Sequence, residues 1–366
     1  MDFLEKKYKY YLENNLIRNQ NISNNCKSNI DFTSSDYLNI ASSKNLKTSI
    51  LNGFEKYGFG SKGSAAVCGY NDSTKHFEEK FANFVGYPKA IFFNSGYMAN
   101  LAIYATLFNK KNTLFTDKFI HASTIDGINL SKVKLKRYRH QDYNHLLKIY
   151  DQNSYIATEG IFSTTGTITN LKKIFEISHN KIIVDEAHSL GVLGNNGRGL
   201  INHYNLSSDN CPIAIYPLGK AFGGVGAVVC TTLEIANYLQ QFARNYIYTT
   251  AIPPLILEAS ITQLDNLAEA NQQRENLQNN ILYFNKLSNE RNLLLASTGI
   301  SPIRSIIIKK NDLALQIKQE LENNSLKVSC FRYPTVPQNL TMLRLSIHAN
   351  NTFNEIEKVI NIITKF

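Results

Sequence analysis

The chain of 366 residues has no tryptophan, three methionines and five cysteines. Cys26, Cys68, Cys211, Cys230 and Cys330 stand far apart with no CxxC pair, which excludes a disulfide framework and the usual spacing of a zinc site. They read as reduced thiols of a cytoplasmic protein. The amino terminus, MDFLEKKYKYYLENN, lacks the apolar core of a signal peptide. Long apolar runs are also missing. The longest apolar region, 90–108, is broken by Asn94, Ser95, Gly96 and Asn100, so no membrane span is expected. With 43% hydrophobic and 19% charged residues, the composition excludes a disordered, collagen-like or coiled-coil chain. The formal charge of +10 comes without a basic helix or a recognised reader motif, so nucleic acid is not an expected partner. Its densest cluster, 132–137 (KVKLKR), alternates like a strand with one solvated face. A polyphosphate or an acidic carrier protein would suit such a surface.

Against that background, polar residues concentrate at the ends of apolar runs. Lys181 to Val184 is a short β-branched run that stops at Asp185, with His188 just beyond it. Pro212 to Tyr216 is a second run that stops before Gly219 and Lys220. In a parallel α/β sheet the carboxyl ends of the strands face the ligand crevice, which brings Asp185, His188 and Lys220 to one volume. A carboxylate, an imidazole and an amine are what pyridoxal phosphate needs: an amine for the Schiff base, an acid opposite the pyridine nitrogen, a ring nitrogen for the phenolic oxygen. An ion pair between neighbouring strands would place Asp185 and Lys220 equally well. The strand Ala90 to Phe93, followed by Ser95-Gly96-Tyr97 and a helix, presents free backbone N–H groups that suit a phosphate. A plain turn with Ser95 as N-cap reads the same way. Gly58, Gly60 and Gly63 match GxGxxG, but no strand precedes them, so a mobile glycine-rich loop is expected in place of a dinucleotide site.

Seven strands (90–93, 113–116, 133–138, 155–158, 181–184, 212–216 and 227–231) alternate with helices, which predicts an α/β large domain with a seven-stranded, mostly parallel sheet between helices. From about residue 253 the pattern changes to a long helix over 256–287, strands near 303–308 and 343–347, and helices at 311–323 and 353–365. The division expected is an N-terminal arm (1–40), a large domain (41–252) and a smaller α+β domain (253–366). Arg344, inside an apolar strand of the smaller domain, needs an anion; a structural Asp or Glu or a ligand carboxylate would serve.

The segments SSDYLNI, GSKGSAAVCGYN, FNSGYMANL, HAST, EGIFSTTG, VDEAHSLGVLGNNGRG, PLGKAFGGVGA, QFARNYIYTTAIPP and LRLSIHA resemble, in that order, the α-oxoamine synthases. These are pyridoxal-phosphate enzymes of fold type I, the aspartate-aminotransferase fold. The resemblance implies Lys220 as the Schiff-base lysine, Asp185 at the pyridine nitrogen, His188 at the phenolic oxygen and His121 on the ring face. It implies cofactor or phosphate contacts for Gly96, Tyr97 and Ser163, and for Thr249 or Thr250 across a homodimer with a shared site. Arg344 and His121 are implied for the amino acid, and Thr335 and Arg18 for the acyl substrate. The branch most resembled joins L-alanine to a pimeloyl thioester of coenzyme A or an acyl carrier protein. Glycine C-acetyl transfer is the alternative, and a non-catalytic pyridoxal-phosphate-binding regulatory module the remote one. Two departures from the family pattern stand out. Pro217 stands where a phosphate-binding hydroxyl is usual, and in the glycine-rich loop Lys62 and Ala65 replace residues that are commonly glycine or polar, Lys62 at a cost if its φ is positive.

Overall fold

The computed structural model describes residues 2–13, 16–17, 30–333 and 335–366. After a helix over Asp2–Glu13 and the two-residue strand β1 (Ile30–Asp31), the chain builds one central sheet. Its strands are β2 (Lys89–Phe93), β3 (Thr113–Asp117), β4 (Lys134–Tyr138), β5 (Tyr155–Glu159), β6 (Ile182–Asp185), β7 (Ile213–Pro217) and β8 (Ala227–Thr231). They lie in the order β2-β8-β7-β6-β5-β3-β4. Strands β3 to β7 pair in parallel, and β8 runs antiparallel to both β2 and β7. All seven predicted strands are thus in one sheet, with β8 as the reversed member.

The inner strands are apolar on both faces because helices cover both. Ile182 and Val184 join one core with Phe77 and Phe81 of helix Asp72–Val85, while Ile183 joins a second core with Ile103 of helix Gly96–Leu107. The basic run 132–137 forms the edge strand β4, where Lys134 is exposed; lysines on an edge deter pairing with another chain.

Beyond the sheet, β9 (Ile303–Ile307), β11 (Ser329–Phe331) and β12 (Met342–Ser346) form an antiparallel sheet in the order β11-β12-β9. Strand β10 (Leu326–Lys327) pairs in parallel with β1. Segment 30–40 is thereby stitched to the C-terminal strands: Ser346 N donates to Phe32 O (2.7 Å), and Ala349 N to Tyr37 O (2.8 Å). This pairing delivers Tyr37 to the strand that carries Arg344.

The long helix expected over 256–287 is two helices, Pro254–Glu269 and Asn271–Glu290. Ala270 breaks them with ψ 40°. Arg274 caps the carbonyls so released, donating to Leu267 O (2.8 Å) and Ala268 O (3.0 Å). The first of the two helices packs on Asn45–Tyr57 and Asp72–Val85. The glycine-rich loop closes in a wide turn over 64–69 and is tied to segment 250–251 by Ala251 N donating to Gly63 O (2.9 Å). Lys62 does have a positive φ, 65°, the strained conformation that its side chain disfavours. No described helix is long and apolar enough to cross a membrane.

Candidate functional site

The carboxyl ends of the parallel strands converge on one cleft. Strand β6 ends at Asp185, which is buried, and its carboxylate is held from two sides. Ala187 N donates to one oxygen (3.0 Å), and Asn100 Nδ2, from helix Gly96–Leu107, donates to the other (2.9 Å). The second hydrogen of the same amide goes to Ser123 Oγ (3.0 Å), which lies 2.7 Å from His121 Nδ1. Strand β5 ends one register step away, where Glu159 stands opposite Asp185. Burial, reinforced by the Asp185 charge, raises the Glu159 carboxyl well above the usual range. One of its oxygens accepts Ser163 N (3.2 Å), and Oε1 has no partner among the described residues.

Lys220 follows β7 and is half-buried. Burial lowers the basicity of its amine, and the Asp185 and Glu159 carboxyls oppose that shift. No ion pair joins Asp185 to Lys220 among the described residues, which removes the structural alternative for these two. A lysine of lowered basicity beside an acid is suited to nucleophilic attack on a carbonyl.

His188 is buried on the same cleft. Burial chiefly, with the Lys220 and Arg344 cations, holds its basicity well below the ordinary range. Its Nδ1 lies 2.7 Å from the hydroxyl of Tyr37, itself fully buried. Arg344 on β12 donates from Nε to Ser163 O (2.8 Å) and, at 3.5 Å, from Nη2 to the Tyr37 hydroxyl, while its guanidinium lies over the Phe331 ring. The cation is buried, and no carboxylate pairs with it among the described residues. A buried guanidinium with spare donors is a place for an anion that the chain does not supply.

Two cavities meet here. The one around Lys220 has a volume of about 470 Å³ and is lined by Asn100, Glu159, Asp185, Pro217 and Lys220 among others. The second, of about 1040 Å³, reaches past Arg344 to an apolar wall that includes Phe331, Val336 and Met342, with Lys118 and Arg137 also on its lining. His121, Ser163 and His188 line both.

The other predicted residues fall as follows. Gly96 and Tyr97 line the Lys220 cavity at the first turn of helix Gly96–Leu107, whose N-cap Ser95 accepts Met98 N (3.2 Å). Gly96 must be small: a Cβ there would stand 2.7 Å from Pro217 Cγ. Pro217 therefore fills the space beside the helix N-terminus. The Tyr97 hydroxyl donates to Asp126. Thr335 lines the larger cavity. Thr249 and Thr250 are not on the Lys220 cavity of the single chain: Thr249 lines a small separate pocket, and Thr250 O accepts Asn94 Nδ2 (2.7 Å). Arg18 lies outside the described residues.

Sequence reasoning assigned no role to Tyr37, Asn100, Ser123 or Glu159. Each sits in a segment that it singled out (SSDYLNI, FNSGYMANL, HAST, EGIFSTTG), but what each one touches depends on tertiary contacts.

The donor set fits pyridoxal phosphate. Lys220 offers the amine, and Asp185 offers an acid fixed at a strand end. The first-turn N–H groups of Gly96 and Tyr97, which no helical carbonyl can reach, suit the phosphate. The profile of the aminotransferase class I and II family matches residues 27–363. A putative 8-amino-7-oxononanoate synthase from Methanococcus aeolicus is 35% identical over 99% of this chain and 97% of its own length. The crystal structure of 8-amino-7-oxononanoate synthase from Francisella tularensis is 57% identical, with a TM-score of 0.87 over 93% of this chain and 98% of that one. A serine palmitoyltransferase from S. paucimobilis solved with bound PLP is 25% identical, with a TM-score of 0.88 over 100% and 96%. This chain belongs to the aminotransferase class I and II family, and its cofactor is pyridoxal phosphate.

Proposed function

We propose that the protein condenses L-alanine with a pimeloyl thioester, on coenzyme A or an acyl carrier protein, with loss of carbon dioxide. This is the reaction of an 8-amino-7-oxononanoate synthase. The observation that carries the reaction class is Arg344: a buried guanidinium with no carboxylate partner among the described residues, on the larger cavity with the apolar wall that shares His121, Ser163 and His188 with the Lys220 cavity. That placement suits an amino-acid carboxylate beside an acyl chain. The choice of substrates is supported by the 57% identity to the Francisella tularensis enzyme.

Pyridoxal phosphate, when bound, supplies an electron sink conjugated to the amino acid's α-carbon. Asp185 keeps a proton at the pyridine nitrogen, and Lys220, its basicity lowered by burial, takes the α-proton at Nζ. His188 bonds the phenolic oxygen, and His121 is assigned to the ring face. Arg344 orients the amino-acid carboxylate, which later leaves as carbon dioxide. A carbon–carbon bond forms at the thioester carbonyl, the thiol leaves, and a proton returns to the α-carbon. Gly96, Tyr97 and Ser163 are the contacts for cofactor and phosphate. The working form is a cytoplasmic homodimer in which the partner subunit's Thr249 or Thr250 reaches the phosphate. Thr335 and Arg18 serve the acyl substrate.

Release of free thiol, measured with alanine or glycine against pimeloyl and acetyl thioesters, tests the reading. Alanine with the pimeloyl thioester should be the preferred pair. Preference for glycine with acetyl-coenzyme A would replace it with glycine C-acetyl transfer.

A further inference from the structure

We propose that two hydroxyls, Tyr37 and Ser123, are positioning residues that lock His188 and His121 in the tautomer carrying hydrogen on Nε2, so that each ring offers an N–H donor to the cavity that both line.

The two histidines come from different strand ends, yet each Nδ1 meets a hydroxyl oxygen at 2.7 Å. A ring nitrogen and a hydroxyl can share their hydrogen either way, so that distance alone decides nothing. What decides is the next group along. A guanidinium can only donate, so the Tyr37 oxygen is an acceptor toward Arg344 Nη2. The phenol keeps its own hydrogen, since burial pushes its pKa up, and the Ser35 hydroxyl that also bonds it can donate to the phenol oxygen, which leaves His188 Nδ1, at 2.7 Å, to take the phenol hydrogen. Were Nδ1 protonated, the ring and the guanidinium would both donate to the one phenol oxygen, and the phenol hydrogen would have to turn away to the Ser35 hydroxyl.

Ser123 repeats the arrangement with different groups. The Asp185 carboxylate accepts only, so the amide of Asn100 must turn its NH2 toward it, and the second hydrogen of that NH2 then lies on Ser123 Oγ. Ser123 passes its hydroxyl hydrogen on to His121 Nδ1, and its backbone N–H also donates to that nitrogen (3.2 Å). Two donors on one nitrogen leave no place for a hydrogen there. Each imidazole is thus oriented through a hydroxyl by a charged group of the site: Arg344 in one case, Asp185 through Asn100 in the other. The inference rests on reading this cleft as the cofactor site, but not on which thioester is used.

The test is ¹⁵N NMR of the full, cofactor-free chain labelled at histidine, with resonances assigned by single His→Gln variants. In the unmodified protein, Nδ1 of both His188 and His121 should show the shift of a bare acceptor nitrogen and Nε2 that of a protonated one. Tyr37→Phe keeps the ring and should release the His188 tautomer alone. Ser123→Ala should perturb His121 alone, and Ser123→Thr, which restores the hydroxyl, should reverse the change. In the loaded enzyme, Tyr37→Phe should lower kcat by about 10–100-fold, by analogy with loss of the outer hydrogen-bond partner of a metal-bound imidazole. A protonated Nδ1 on either ring of the unmodified protein overturns the proposal, whether or not any variant folds. Unchanged His188 shifts in Tyr37→Phe overturn it for that ring. Because these spectra need neither cofactor nor substrate, a failed thiol assay would leave the lock standing, and a failed lock would leave the proposed reaction standing.

Discussion

Asp185 and Glu186 are consecutive, both buried and both acidic, yet they serve opposite sides of the same strand end. Glu186 gives all its capacity to the fold: it accepts Leu200 N (2.8 Å), Ile201 N (2.9 Å) and the Ser189 hydroxyl, clamping the loop that follows β6. Asp185 accepts one backbone N–H and one amide and still lines the cavity. Glu159, its register partner, keeps one oxygen with no partner among the described residues. Burial does not separate the two kinds of carboxyl, and neither does the direction of the pKa shift. Glu186 is pushed up to about 7, and Glu159 is raised as well. What separates them is hydrogen-bonding capacity left facing a cavity, and that is the mark of the functional group.

The largest effect that would test this contrast is at Lys220. Lys220→Ala should abolish turnover and the internal Schiff-base absorbance while leaving the thermal midpoint of the cofactor-free protein little changed; full activity would end the assignment. Asp185→Asn should cost about 100-fold or more in kcat, on the scale of removing one partner of a buried charge contact. Glu186→Gln should do the reverse, lowering stability by about 1–3 kcal/mol in denaturant titration with kcat nearly unchanged. If Glu186→Gln damaged kcat as much as Asp185→Asn, the distinction would fail. Arg344→Gln should raise the amino-acid KM by about 10–100-fold, the worth of hydrogen bonds to a charged group, and change the thioester KM much less.

The smallest effect concerns pH. Glu78 bonds Phe92 N (2.8 Å) and the Tyr70 hydroxyl (2.9 Å), and burial lifts its pKa from 4.5 to about 7. The folded chain then holds a proton that the unfolded chain has released, so stability should fall as pH rises from about 4.5 to about 7. Glu78→Gln, far from the chemistry, should reduce that slope in urea titrations, leaving the share that the raised Glu186 and Glu159 carboxyls contribute.

All seven strands of the central sheet were legible in the sequence because each is a short apolar run bounded by turn residues, and all lie where those runs are. Asp185, His188 and Lys220 were legible because strand ends carry ligand chemistry in such sheets. The break at Ala270 was not, since the apolar periodicity continues through it and the capping Arg274 acts through tertiary geometry. Tyr37 was hidden for a similar reason. It lies 151 residues from His188 and 307 from Arg344 in the chain, and only the stitching of segment 30–40 to the C-terminal strands brings the three together.

That stitching has a counterpart in the turn 163–166. Ser163 O receives Arg344 Nε, Thr164 O receives the Ser305 hydroxyl (2.6 Å), and Gly166, at φ +72°, sits so close to β9 that a Cβ would stand 2.2 Å from Ile303 O. The turn therefore works as a gauge block between the two sheets: its thickness, set by a residue with no side chain, fixes how far Arg344 stands from Lys220. Every α-amino acid keeps its carboxylate one carbon from its amine, so a thicker spacer would pull the carboxylate anchor out of reach of all of them alike.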